Sequence, residues 1–204
     1  MLSIIRDAGW PIWPLLATSF IALALIVERA LALRRSRVVP RELLSEVLSL
    51  SLRPQLPADT LARLQAHSPL GQVLAAGLRS RHLAREAIVA AMENAGRAVT
   101  HDLHRYLGAL GTIAAIGPLM GLFGTVIGMI EIFSAWSPVG SDPAQLAHGI
   151  SIALYNTALG ILVAIPAVIF QRAFRARVSD YTLEMEAAGS RLVDTLKPPA
   201  GSGA

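Results

Sequence analysis

The stretch GPLMGLFGTVIGM, residues 117–129, decides the fold of this protein. It is apolar except for one threonine, yet it contains four glycines and a proline. A glycine inside a helix lowers the stability of that helix by about 0.5–1 kcal/mol relative to alanine. Four glycines would only weaken an isolated apolar helix. They therefore indicate that another protein segment packs closely against this one.

The composition indicates a membrane protein. Of the 204 residues, 53% are hydrophobic and 16% are charged, whereas soluble domains carry about 25% charged residues. Residues 9–27, 107–130 and 146–171 contain no Asp, Glu, Lys or Arg, and a helix needs about 20 such residues to cross a bilayer core. We therefore predict an all-α membrane protein with three transmembrane helices. The first is expected to be a retained anchor, because no cleavage-like site follows it.

The arginines predict the orientation. They are concentrated at residues 34–105 and again after residue 171, and none lies at residues 136–147. Cytoplasmic segments carry an excess of Lys and Arg, so the N-terminus and the 136–145 loop are predicted to be periplasmic and the C-terminus cytoplasmic. The outer interface would be marked by Trp10, Trp13 and Trp136. The arginines would line a vestibule or meet anionic headgroups, and no nucleic-acid motif accompanies them.

The predicted organisation has six segments. They are the periplasmic N-terminus with the first transmembrane helix (1–33), a cytoplasmic helical region (34–106), the second transmembrane helix (107–135), a periplasmic loop (136–145), the third transmembrane helix (146–171), and a cytoplasmic helix with a disordered tail (172–204). Only Pro118 interrupts residues 70–134, so one continuous helix is predicted from Pro69 into the membrane. The second and third helices are thus expected to extend far into the cytoplasm.

Small residues recur at helical spacing on the second and third spans. The glycines predicted to pack the two helices are Gly117, Gly121, Gly124 and Gly128 on the second span and Gly149 and Gly160 on the third. Lipid tails provide no hydrophobic incentive for helices to associate, so close packing through small residues must supply it. Packing alone is a sufficient explanation of the glycines, but it does not explain the polar residues beside them.

Three polar side chains, Thr125, Asn156 and Thr157, lie near the middle of these spans. A membrane threonine commonly bonds its own backbone, but a carboxamide at this depth needs another helix or water as its partner. We predict a narrow polar path lined by these three residues. None of them titrates, so a proton that used this path would need a carboxylate from a partner subunit.

The titratable residues of the spans lie near their ends. Glu131 and His148 are candidate polar groups at the outer end, where solvation of Glu131 is the simpler interpretation. Glu28 beside Arg29 is predicted to be an ion pair that extends to the inner interface.

Other classes of function fit the sequence less well. An enzyme would need a catalytic cluster, and the nearest candidate, His101, Asp102 and His104, matches the pattern of exposed histidines on a charged helix. No catalytic, metal or cofactor site is predicted, and the lack of cysteine excludes thiol chemistry. A structural scaffold without a proton path stays an alternative. A solute transporter is disfavoured because three spans without inverted repeats cannot enclose a site alone.

The 117–129 stretch followed by GISIALYNTALGILVAIPAVIF, residues 149–170, resembles the paired signature of the MotA/TolQ/ExbB proton-channel family. The three-span layout resembles the ExbB and TolQ branch. The resemblance implies a homo-oligomer, a pentamer, in the bacterial inner membrane around an ExbD- or TolR-like single-span partner that supplies a membrane aspartate. Proton flow past that aspartate would drive a TonB- or TolA-like protein, without a cofactor.

The resemblance also assigns individual residues. Thr125 and Thr157 match the pore-lining threonines of the family, whereas Ile152 stands where many members carry a glutamate. The short C-terminal tail and the overall length favour an ExbB-like subunit over a TolQ-like one.

Overall fold

The computed structural model describes residues 8–53, 57–134 and 143–198. Within these residues every regular element is a helix. The helices are α1 (Ile12–Ala32), α2 (Arg35–Val38), α3 (Leu43–Ser51), α4 (Ala58–His67), α5 (Pro69–Arg79), α6 (Arg85–Leu103), α7 (Leu107–Ser134) and α8 (Pro143–Leu196). The prediction of an all-α protein is confirmed. Trp136, most of the predicted 136–145 loop and the tail from residue 199 lie outside the described residues.

Three helical segments are long and apolar enough to cross a membrane. They are α1, the segment Arg85–Ser134 that contains α6 and α7, and α8. The second segment has 50 residues and the third 54, well above the roughly 20 that span a hydrocarbon core. This confirms the predicted set of three transmembrane helices, of which the second and third extend well beyond their apolar stretches.

The prediction of one continuous helix from Pro69 to Ser134 is wrong. Helix α5 ends at Arg79 and α6 begins at Arg85, and residues 104–106 form a turn between α6 and α7. Neither break contains glycine or proline, so no local signal marks it. The second break places Tyr106 at a φ of 63°, which costs a non-glycine residue about 1–3 kcal/mol. Tertiary contacts must hold this turn, and the ring of Tyr106 packs against Arg29.

The chain divides into two compact units. We call residues 1–29 and 106–173 the apolar unit and residues 30–105 and 174–204 the polar unit. Helices α1 and α8 contribute residues to both units. The units contain different kinds of core, as their buried side chains show.

In the apolar unit the buried faces are narrow. The buried residues of α7 are Leu107, Leu110, Ala114, Gly117, Gly121, Gly124 and Gly128, which follow the three- and four-residue spacing of one helix face. Large side chains on the other faces are exposed, with Phe20 at 71%, Leu162 at 66% and Leu119 at 62%. Soluble monomers rarely expose so much contiguous apolar surface, and this exposure fits helices that lie in lipid or against other subunits.

The polar unit has an ordinary apolar core. Helix α5 packs against α4 and α6, and Leu74, Ile88 and Leu192 are fully buried. Helix α5 begins as Ser68 and Pro69 predict, because the Ser68 hydroxyl accepts a hydrogen bond of 3.1 Å from the Gly71 amide. The polar unit therefore has a core made of side chains, whereas in the apolar unit glycines form more than half of the buried face of α7.

Candidate functional site

Helices α7 and α8 lie backbone against backbone where the glycines face each other. A Cβ atom placed on Gly121 would lie 3.0 Å from the carbonyl oxygen of Asn156 and 3.0 Å from the Cα of Thr157. One placed on Gly160 would lie 2.6 Å from the carbonyl oxygen of Gly117. Any side chain at these positions would push the two helices apart, so glycine sets their distance.

The close backbone contact continues towards the C-terminal end of α7 and the N-terminal end of α8. A Cβ atom on Gly149 would lie 2.9 Å from the Gly128 carbonyl oxygen, and one on Gly128 would lie 2.5 Å from the Gly149 carbonyl oxygen. Gly124 differs from the other five, because the side chain of Asn156 fills the space beside it. Five glycines thus allow the backbones to meet, and the sixth makes room for a polar side chain.

The Asn156 side chain is completely buried. Its Nδ2 donates hydrogen bonds of 2.8 Å to the carbonyl oxygens of Ala8 and Ile152, which uses both amide protons. Its Oδ1 has no hydrogen-bond partner among the residues that the structure describes. The carboxamide therefore joins α8 to the chain segment before α1 and keeps one buried acceptor available.

The hydroxyl groups of Thr125 and Thr157 both donate hydrogen bonds to backbone carbonyl oxygens. Thr157 Oγ1 donates to the carbonyl oxygen of Gly121 across the helix pair at 3.3 Å, and Thr125 Oγ1 donates to that of Leu122 in its own helix at 2.6 Å. Both side chains are partly exposed, and a hydroxyl that donates can still accept. The structure thus brings Asn156 and Thr157 together against Gly121 and Gly124, while Thr125 bonds within α7 and to no other helix among the described residues.

The titratable candidates lie away from this polar group. Glu131 is partly exposed and follows Gly124 by two helical turns, about 10 Å along the axis. His148 is exposed and precedes Asn156 by a little more than two turns, about 12 Å. Neither residue belongs to the cluster around Asn156.

The segment before α1 is the part of the site that the sequence did not reveal. Gly9 has a φ of 70°, and the Cδ1 of Ile152 lies 3.3 Å from the position of a Cβ on Gly9. Trp10 packs edge to face on Phe123, with ring centroids 5.9 Å apart. Ile152 is therefore a buried apolar contact for this segment. The only available signal was a Gly-Trp-Pro sequence before an apolar run.

The Glu28–Arg29 ion pair forms at 2.5 Å, as predicted, but only Glu28 is exposed, so the pair does not extend outwards as a whole. Arg29 is 6% exposed, and its guanidinium carbon lies 5.2 Å from the centroid of the Tyr106 ring. A cation over an aromatic face is stabilised by the ring quadrupole. This contact and the ion pair with Glu28 both stabilise the buried guanidinium group, and the contact with the ring also supports the turn at Tyr106.

The histidine cluster considered for an enzyme does not form a site in the described residues. His101, Asp102 and His104 are all exposed, and the Nδ1 of His104 lies 2.9 Å from the Thr100 carbonyl oxygen of its own helix. No group of three His, Cys, Asp or Glu residues within the described ranges is placed to hold a metal ion.

Comparison with known proteins gives the family. Residues 65–187 match the MotA/TolQ/ExbB proton channel family. The chain is 33% identical over 191 residues to the putative biopolymer transport protein ExbB-like 1 of Synechocystis, with 90% of this chain and 74% of that protein covered. It is 32% identical over 169 residues to ExbB-like 3 of the same organism, with 80% and 79% covered.

A proteobacterial relative gives the same result. The chain is 31% identical over 170 residues to the biopolymer transport protein exbB1 of Vibrio cholerae, with 80% of this chain and 74% of that protein covered. The matched family region includes all of α7 and most of α8, and hence Thr125, Asn156 and Thr157. The resemblance seen in the sequence is confirmed, and the chain belongs to the MotA/TolQ/ExbB proton channel family.

Proposed function

We propose that this chain is an ExbB-like subunit of a proton-driven motor in the bacterial inner membrane. With an ExbD-like partner, it would use the proton motive force to energise TonB-dependent transport across the outer membrane. Family membership supports the proton channel part of this proposal, and the names of the relatives support biopolymer transport. The observation that carries it is the hydroxyl of Thr157, which is anchored on the facing helix at the glycine contact.

The threonines suit a path in which they do not carry the proton themselves. Because each hydroxyl donates to a carbonyl oxygen, its own oxygen stays available to accept from water or from a protonated carboxyl group. Neither hydroxyl titrates near neutral pH, and residues 107–130 and 146–171 contain no Asp or Glu. The proton-carrying group in this proposal is the aspartate of the single-span partner.

Asn156 would hold this arrangement in place. Its two hydrogen bonds fix α8 to the segment at Ala8, and its side chain occupies the space that Gly124 leaves. The free Oδ1 would accept a hydrogen bond from a water molecule in the path. Glu131 and His148 would face water at the outer end of the same pair.

The exposed apolar faces of the apolar unit support an oligomer. Leu119, Leu122 and Val126 lie on one exposed side of α7, where lipid or a neighbouring subunit would cover them. We propose a homopentamer around the single-span partner, with the N-terminus in the periplasm and the C-terminus in the cytoplasm. A TonB-like protein would receive the energy.

The test combines assembly and proton flux. The chain is coexpressed with the single-span protein encoded by the neighbouring gene, its mass is measured under native conditions, and the complex is reconstituted in liposomes. Thr157→Val conserves shape but removes the hydroxyl, and we expect it to lower proton flux about tenfold, the effect of one hydrogen bond. Thr112→Val is the control, because that hydroxyl bonds only Gly108 in its own helix.

Three outcomes discriminate between the alternatives. A ring of five that retains the single-span partner, with a flux defect only in Thr157→Val, would support the motor. Flux no higher than in protein-free liposomes would favour the structural scaffold, whereas equal flux above that level in the two variants would show that the Thr157 hydroxyl is not needed. Restoration of detergent resistance in a strain that lacks TolQ, without restoration of TonB-dependent uptake in one that lacks ExbB, would favour the TolQ-like alternative.

A further inference from the structure

A short basic segment follows helix α1 directly. Helix α1 ends at Ala32, and arginines occupy positions 34, 35, 37 and 41. The apolar residues on either side of the first three arginines are buried in the polar unit, with Leu33 and Val38 each 1% exposed. Burial of these side chains turns the arginines between them towards the surface.

Two contacts hold the backbone of this segment on α8. The hydroxyl of Tyr181 donates a hydrogen bond of 2.9 Å to the carbonyl oxygen of Leu33. Arg35 forms an ion pair of 2.9 Å with Glu184. The fold thus positions the backbone of this segment. When its remaining arginines bind a ligand, less conformational entropy is lost than when a flexible chain is ordered.

Arg34, Arg37 and Arg41 are exposed, and no ion pair or side-chain hydrogen bond joins their guanidinium groups to the residues that the structure describes. The nearby Glu184 is already paired with Arg35. Three guanidinium groups without a carboxylate partner form a concentrated positive surface within eight residues of sequence. Such a surface attracts an anion that can approach from outside the protein.

The position of the segment identifies the anion. Helix α1 has the length and composition to cross a membrane, and the headgroup layer begins where such a helix leaves the hydrocarbon core. Guanidinium groups bind phosphate oxygens through paired hydrogen bonds. Clusters of arginines next to a membrane helix attract anionic lipids, each residue contributing about fivefold in affinity. We propose that Arg34, Arg37 and Arg41 form a binding site for the phosphodiester headgroups of anionic phospholipids.

The experiment measures lipid preference on the full-length chain in detergent. Binding of phosphatidylglycerol and of phosphatidylcholine is titrated by native mass spectrometry, and we expect at least tenfold tighter binding of phosphatidylglycerol. The combined substitution R34Q, R37Q and R41Q should lower this preference at least tenfold. The control R63Q, R97Q and R191Q removes the same charge from exposed positions elsewhere in the polar unit, and it should keep the preference within twofold.

Two further arms make the result decisive. The combined substitution R34K, R37K and R41K retains the charge and should restore most of the preference, which separates lost binding from a lost fold. Inorganic phosphate at millimolar concentration should not displace the lipid, since displacement would identify a site for free phosphate. An undiminished preference in the R34Q, R37Q and R41Q protein, or an equal loss in the control, would overturn the proposal.

Discussion

Asn156 shows how one residue links the packing of this protein to its proposed path. Its side chain fills the gap at Gly124 and donates to Ala8 and Ile152. A buried acceptor without a partner costs about 1–3 kcal/mol, and Oδ1 is such an acceptor in the described part of the chain. Asparagine at this position is therefore explained by the two hydrogen bonds that Nδ2 donates, together with a role for Oδ1 as an acceptor.

Asn156→Ala tests the structural part of this interpretation. The substitution leaves the Ala8 carbonyl oxygen unpaired and opens a gap beside Gly124, so we expect a loss of roughly 1–3 kcal/mol in unfolding free energy in detergent. The fluorescence of Trp10 should also change, because Trp10 packs on Phe123 and follows Ala8 by two residues in the chain. It is measured with the other two tryptophans replaced by phenylalanine.

Ser151→Ala is the matched control for this prediction. The Ser151 hydroxyl bonds only the Ala147 carbonyl oxygen of its own helix, so its loss should change stability by less than about 0.5 kcal/mol. Equal stability of the two variants would show that the Asn156 bond to Ala8 contributes nothing.

At the scale of elements, the α7–α8 pair is determined by glycine contacts on one face. The buried positions of α7 include four glycines but only three larger side chains. Helix propensity opposes glycine, so the close approach of two backbones must offset that cost through dispersion and weak Cα–H···O contacts. Substitution of glycine by alanine should therefore lower stability on the face of α7 that contacts α8 and should not lower it on the exposed face.

Gly121→Ala and Gly108→Ala make this comparison. At Gly121 the added Cβ would meet the α8 backbone at 3.0 Å, so we expect a loss of about 1–3 kcal/mol from overpacking. At Gly108 nothing lies within 4 Å of the added atom, so stability should stay equal or rise by up to about 1 kcal/mol. Thermal unfolding in detergent measures both, and a loss of the same size at Gly108 would contradict a role for close contact.

At the scale of the whole molecule, the proposed orientation rests on charge asymmetry. The described residues include two exposed serines on opposite sides of the predicted membrane, Ser36 in α2 and Ser134 at the end of α7. The chain has no cysteine, so a single cysteine at either position reports on that position alone.

We predict opposite labelling of these two sites by a membrane-impermeant maleimide. Ser134→Cys should react at least tenfold faster in right-side-out membrane vesicles, because the end of α7 faces the periplasm in our proposal. Ser36→Cys should react faster in inside-out vesicles. A permeant maleimide controls for the intrinsic reactivity of each thiol, and the reverse pattern would invert the proposed topology.

The sequence by itself determined the properties that depend on local composition. The three spans follow from uncharged stretches long enough to cross a hydrocarbon core, and all three are helices in the structure. The signature around Thr125 and Thr157 was sufficient to identify the family. Small residues at helical spacing also marked the face of α7 that is buried. Each of these properties is read from neighbouring residues, so no knowledge of distant contacts was needed.

Only the tertiary structure decided what depends on which segments meet. Asn156 and Ala8 are 148 positions apart, and the sequence near either residue does not predict their hydrogen bond. Arg29 and Tyr106 are 77 positions apart and yet pack against each other, and the turn at Tyr106 adopts a φ that its own sequence disfavours. At Tyr106 the free energy of long-range contacts must exceed a local preference of about 1–3 kcal/mol. The folded structure as a whole sets the balance between long-range contacts and local preferences. A short stretch of sequence therefore cannot predict it.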